Sequence, residues 1–169
     1  MEVMEAIRKR YSCRSYLADP VPSEILMQLV DAGRLAPSGL LEQPWKFVVI
    51  TDVSTLRELS SLTDYGKHIG KAAACIAVFC KAEAKYAVED GAAATENILL
   101  AATGMGLGSC WVAGDKKPYS QAVATLLRAP AEFKLISLIG LGYPNDSLPA
   151  DRERLPLEEV LYWQNFIQD

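Results

Sequence analysis

The apolar positions of this chain follow two spacings. From 23 to 33, Ile25, Leu26, Leu29, Val30 and Gly33 recur at helical intervals behind the break Asp19-Pro20-Val21-Pro22, with Ser23 placed to cap the helix. Residues 1–9 have the length of a short helix, and a further one runs from a cap at Asp52 or Ser54 to about Leu62. Between them Phe47-Val48-Val49-Ile50 is an unbroken, mostly β-branched run, which predicts a buried strand. Residues 74–79, Cys110-Trp111-Val112 and residues 135–141 predict three more. Ala36-Pro37-Ser38-Gly39 closes the second helix, and 118–127 and 158–167 are helical in spacing.

Residues 83–105 make the longest helical stretch, rich in alanine and almost wholly apolar from Ile98 to Ala102, with Gly104, Gly106 and Gly108 ending it. A helix apolar all round is expected to be buried on all sides. That is more burial than one small domain offers, so part of this helix is expected to meet a second subunit, where Ala92, Ala93, Ala94, Ala101 and Ala102 allow close approach. The expected architecture is α+β: one domain over residues 1–169, a sandwich with a mixed sheet and helices around it.

Half of the 169 residues are hydrophobic and 22% are charged, the balance of a globular chain with a substantial core. The formal net charge of −4, with no basic stripe, argues against a nucleic-acid binder. The first ten residues lack a signal-peptide core, and the longest apolar run, 72–80, is far shorter than the ~20 residues of a membrane helix, so a cytoplasmic location is expected. Cys13, Cys75, Cys80 and Cys110 form no C-x-x-C pair, and His68 is the single histidine. Buried free thiols are therefore expected, with neither a metal centre nor a Ser-His-Asp arrangement. No carboxylate pair stands out as an acid–base dyad; any difficult chemistry would belong to a cofactor.

Four segments could hold one. In an extended backbone Arg10, Ser12 and Arg14 of Arg10-Tyr11-Ser12-Cys13-Arg14-Ser15-Tyr16 project to one side. Two guanidinium groups and a hydroxyl suit a phosphate dianion, although a solvated basic stretch has the same composition. Arg152 and Arg154 of Arg152-Glu153-Arg154 share a face in the same way, or belong to a charged loop. The corner from Ala36 to Trp45 is rigid enough to present backbone amides to a ligand, or is a structural turn. The glycine-spaced crossing from Gly104 to Gly114 follows a helix instead of opening one, so it is neither a Rossmann fingerprint nor a P-loop. Tyr11, Tyr65, His68 and Trp111 could line a pocket or serve as ordinary core and surface residues.

In order and spacing these segments resemble the nitroreductase-like flavoprotein family from Met4 to about Trp163. The resemblance is carried by Arg10-Tyr11-Ser12-Cys13-Arg14, by Ala36-Pro37-Ser38 with Gln43-Pro44-Trp45, and by Glu96-Asn97-Ile98-Leu99-Leu100-Ala101-Ala102. It continues through Gly106-Leu107-Gly108-Ser109-Cys110-Trp111-Val112, Leu141-Gly142-Tyr143-Pro144 and Arg154-Leu155-Pro156-Leu157-Glu158-Glu159-Val160. It implies a mainly antiparallel sheet, a long central helix at a dimer interface, and a homodimer with two tightly bound FMN molecules there. Arg10, Tyr11, Ser12 and Arg14, with Arg152 and Arg154, would hold the cofactor at its phosphate end. Pro37, Ser38, Gly39 and Leu41 would reach the flavin from the partner subunit, and backbone near Ala113 and Gly114 would face its ring. The implied reaction is ping-pong: NADH or NADPH reduces the flavin, and a nitro compound, quinone or related acceptor removes the electrons. A flavin-storage protein with little turnover, or a specialised member such as a reductive dehalogenase, is the alternative. Leu41 stands where many members carry a hydrogen-bonding asparagine. The stretch Asp115-Lys116-Lys117-Pro118 is also short where longer members insert helices, which implies an open pocket.

Overall fold

The computed structural model describes residues 1–145 and 153–166. Helix α1 (Val3–Lys9) and helix α2 (Ser23–Arg34) precede strand β1 (Trp45–Ile50), helix α3 (Val53–Leu62) and strand β2 (Ala74–Lys81). Helix α4 (Ala87–Gly104), strand β3 (Gly108–Ala113), helix α5 (Ser120–Leu126), strand β4 (Phe133–Gly142) and the single helical turn α6 (Leu157–Val160) follow. The strands form one sheet in the order β1-β2-β4-β3, every pair antiparallel. The parallel element among the described residues is an isolated bridge, Ser12 to Ser109, on the outer edge of β3.

Helices cover both faces. On one face α2 and α4 enclose Ile76, Val78, Ile136, Ile139 and Leu141 with Leu29, Ile98 and Ala102. On the other, α3 and α5 pack Leu56, Leu59 and Val123 onto Cys75, Ala77, Phe79 and Leu138. The central strands β2 and β4 are therefore buried on both sides, which is why their sequences are continuous apolar runs without alternation. Close approach of α4 depends on Gly91, where a Cβ would lie 2.8 Å from Ile136. A buried hydroxyl pair, Thr95 Oγ1 to Ser137 Oγ at 2.7 Å, ties the same helix to β4.

Several sequence expectations are corrected. Helix α4 starts at Ala87, not 83, because the chain first turns out of β2, with the Ala82 amide donating to the Glu132 carbonyl. Its burial within one chain is partial, which leaves the expectation of a second subunit standing. Ala87, Gly91, Ala94, Thr95, Ile98, Leu99 and Ala102 face the sheet at helical spacing, whereas Ala92, Ala93, Leu100 and Ala101 are only half-buried. Ser23 is the first helical residue, with Pro22 at the cap position and no side-chain cap bond. Of the two caps proposed for α3, Asp52 holds the place: its carboxylate accepts from the Thr55 amide at 2.8 Å and from the Ser54 and Thr55 hydroxyls. The C-terminal helix expected over 158–167 is the one turn α6, and residues 153–166 are exposed throughout. A short amphipathic segment needs a packing surface to stay helical, and its own chain offers it none.

Candidate functional site

The opening segment leaves α1 as extended backbone along the edge of β3. The Cys13 amide donates to the Ser109 carbonyl at 3.0 Å, and the pleat turns Cys13 inward while Ser12 and Arg14 face out. The expected alternation is thus present, although an Arg14 Nη1 to Ser12 carbonyl bond of 3.3 Å folds the guanidinium back over the strand. Arg10 lies closer in, its side chain 22% exposed, with Nε 3.6 Å from Glu96 Oε1 on α4. Such a loose, partly solvated pair is worth at most about 1 kcal/mol, so an anion could draw Arg10 away from it.

Burial pushes Cys110 above its ordinary range, while Arg14, the Ser12 hydroxyl and Arg10 all act to lower it. The charges of both arginines and the Ser12 hydroxyl are thus felt at Cys110 in the middle of β3. Arg14 reaches further, to His68: burial first, and then the Arg14 cation, hold its imidazole below the ordinary histidine value. His68 is a neutral core group, not a second cation, its ring tilted against Tyr16 at 6.3 Å and its Nε2 buried without a partner among the described residues. The Tyr16 hydroxyl spans the Cys13 and Gly140 carbonyls at 2.7 and 3.0 Å, locking the end of the arginine segment onto β4.

At the far end of β3 the ladder separates two neighbours. The Gly114 amide donates to the Ile136 carbonyl at 2.9 Å, and Ala113 sits opposite Ser137 in a non-hydrogen-bonded position. The alternation of the antiparallel ladder therefore directs the Ala113 amide outward, and Ala113 is exposed where Gly114 is buried. Carbonyls of both residues accept from the start of α5, Ala113 from the Tyr119 hydroxyl and Gly114 from Ser120 Oγ. Of this pair, only Ala113 offers its amide to a ligand.

The 37–41 turn is built differently from expectation. Pro37, Leu40 and Leu41 are exposed, Leu41 at 82%. Ser38 turns its hydroxyl inward, donating to Asp90 Oδ2 at 3.0 Å while accepting from the Gln43 amide at 2.8 Å. The Gly39 amide donates to Asp90 Oδ1 at 2.9 Å. Sequence reasoning missed Asp90, which a helix starting at residue 83 would place beyond its first turn. Arg154 is exposed, its Nη1 donating to the Glu153 carbonyl at 2.9 Å, with no bond to the 10–14 segment among the described residues. Arg152 lies outside the described residues. Tyr11 lines a cavity of about 280 Å³ between α1 and the end of α4, while Tyr65 is fully in solvent. No cluster of three or more histidine, cysteine or acidic side chains is placed to hold a metal among the described residues. No described helix is long and apolar enough to cross a membrane.

The fold is an antiparallel sheet with helices on both faces, and Ser12 and Arg14 face outward along its β3 edge. Comparison narrows the class. The Nitroreductase family profile matches residues 7–74 and 65–143. An Archaeoglobus fulgidus protein, provisionally named an NADH dehydrogenase/NAD(P)H nitroreductase, is 36% identical over 151 residues, 86% of this chain and 87% of its own. An FMN-dependent nitroreductase of Clostridium difficile superposes with a TM-score of 0.90 at 26% identity, covering 96% of this chain and 99% of its own. A Desulfovibrio desulfuricans structure in complex with FMN superposes with a TM-score of 0.81 at 34% identity, covering 99% of each chain. This chain belongs to the nitroreductase family.

Proposed function

We propose that the protein is an FMN-dependent oxidoreductase that takes electrons from NADH or NADPH and delivers them by a ping-pong mechanism to nitro compounds, quinones or related acceptors. The observation that carries this reading is the outer edge of β3. The segment carrying Arg10, Ser12 and Arg14 bridges onto it at Ser109, and the outward amide of Ala113 lies at its other end. Ser109 and Ala113 are four residues apart, roughly 13 Å along an extended strand. That span suits a molecule with a phosphate at one end and a flat polar ring at the other. The residues present therefore fit FMN. Arg10, Ser12 and Arg14 would bind the phosphate by charge-assisted hydrogen bonds, and the Ala113 amide would donate to the ring. When bound, FMN supplies the chemistry itself, accepting a hydride from the nicotinamide and passing electrons to the second substrate. The protein's part is to hold the cofactor, orient it and keep the Ala113 amide aimed at it, which the Tyr119 and Ser120 hydroxyls do by fixing the neighbouring carbonyls.

The same reading includes a homodimer with the sites at its interface. The exposed C-terminal segment carries Leu155, Leu157, Val160, Leu161, Tyr162, Trp163 and Phe166, apolar area that a second subunit would cover. Pro37, Ser38, Gly39 and Leu41 would then approach the flavin of the partner, and Arg152 and Arg154 would join the phosphate end. The test is the spectrum of the purified protein followed by anaerobic mixing with NADH and with NADPH. Yellow protein whose oxidised-flavin absorbance is lost rapidly on mixing is expected. Colourless protein that FMN does not reconstitute overturns the reading, and stable FMN binding without reduction makes this a flavin carrier.

A further inference from the structure

The functional reading uses Ser38 and Gly39 but gives Asp90 no task. Asp90 is only 5% exposed, in the first turn of α4. A carboxylate is buried at high cost unless its oxygens are bonded, and here both are. Oδ1 accepts the Gly39 amide and Oδ2 the Ser38 hydroxyl, whose oxygen in turn accepts the Gln43 amide. One carboxylate thus holds the start of the turn directly and its end through Ser38. On the other side the turn rests on Tyr86: a Cβ at position 39 would lie 2.3 Å from that ring.

Between these anchors the backbone is strained. Leu40, Leu41 and Gln43 have φ of 55°, 58° and 46°, left-handed values that side chains other than glycine rarely take. Such strain persists only where the surroundings over-determine it, and the bonds to Asp90 are what over-determine this turn. Both leucines are consequently held out in solvent.

We infer that Asp90 is a positioning residue of the flavin site, holding the strained 37–41 turn in the shape in which it meets the cofactor. The inference rests on the FMN reading given above. Asp90 acts through Ser38 and Gly39 and needs no contact with FMN itself.

The test uses the full-length FMN-loaded protein, with Asp90→Asn, Ser38→Ala and the double variant. Asparagine keeps the size and one acceptor for Gly39, but sets an amide donor against Ser38. Both single variants are expected to change the visible circular dichroism of bound flavin and to slow its reduction by NADH on the order of tenfold, because small displacements at a reacting centre are costly. The double variant is expected to be little worse than the stronger single one, since the two residues act as one unit. Wild-type protein that binds no FMN overturns the site reading itself. Wild type that binds FMN, beside an Asp90→Asn protein with unchanged flavin dichroism and unchanged reduction rate, overturns the positioning role even if its melting temperature falls. Additive effects in the double variant also overturn it. Should Asp90→Asn not fold, Ser38→Ala carries the test alone: an unaltered flavin signal and rate in that variant overturns the inference.

Discussion

Arg14 and His68 show how one side chain can be read at two distances. Arg14 lies on the outer edge beside β3, and its charge is felt at Cys110 on that strand and at His68 behind it. Replacing Arg14 with alanine should weaken FMN binding several-fold or more, since a hydrogen bond to a charged group is worth about 1.5–3 kcal/mol; a flavin fluorescence titration measures this, and unchanged affinity would remove Arg14 from the site. His68 makes a prediction of opposite character. Its folded-state pKa is depressed from the ordinary 6.5. Below that value the unfolded chain binds a proton that the folded protein does not. Stability therefore rises with pH up to about 6.5 and falls as the solution is acidified below it. Urea midpoints at pH values on either side of that window should separate more for wild type than for His68→Gln. Equal separations would show that folding does not depress the His68 pKa.

At the scale of elements, strand and helix identity was legible wherever burial followed a regular period. The runs in β2 and β4 read correctly because strands covered on both faces must be apolar at every position. Arg10, Ser12 and Arg14 were legible as a group because alternation in an extended segment is a local property. Asp90 was not, because its bonds to Ser38 and Gly39 join residues about fifty positions apart. Nor could spacing distinguish Ala113 from Gly114, since only the register with β4 decides which amide is spent inside the sheet. That register makes Gly114 sensitive: a Cβ there would lie 2.5 Å from Leu135 Cγ and 3.0 Å from the Ile136 carbonyl carbon. Gly114→Ala should destabilise the fold by about 1–3 kcal/mol, the usual cost of overpacking, as read from a urea titration. Thr95→Val should cost about 1–3 kcal/mol, because it strands the buried Ser137 hydroxyl that now pairs with Thr95.

At the scale of the whole molecule, the chain is unbalanced as a monomer. One face of α4 is only half-buried, and the described C-terminal segment presents aromatic and aliphatic side chains to water. The proposed second copy would cover both. Sedimentation equilibrium should give twice the 18.5 kDa chain mass, and removal of the segment from residue 153 onward should yield monomer with weakened FMN retention. A truncated protein that remains dimeric and yellow would show that this segment neither joins the subunits nor completes the site.

The sequence by itself determined the α+β class and the strand runs, narrowed the α3 cap to Asp52 or Ser54, and offered Arg10, Ser12 and Arg14 as a candidate group. Each follows from local periodicity or from hydrogen bonds between near neighbours. Only the tertiary structure decided where the opening segment lies on β3, that His68 is a neutral core group, that Ser38 spends its hydroxyl on Asp90, and that residues 153–166 stay exposed among the described residues. Those outcomes depend on which distant groups burial brings together and on which polar atoms they leave satisfied, and the period of a single segment carries neither.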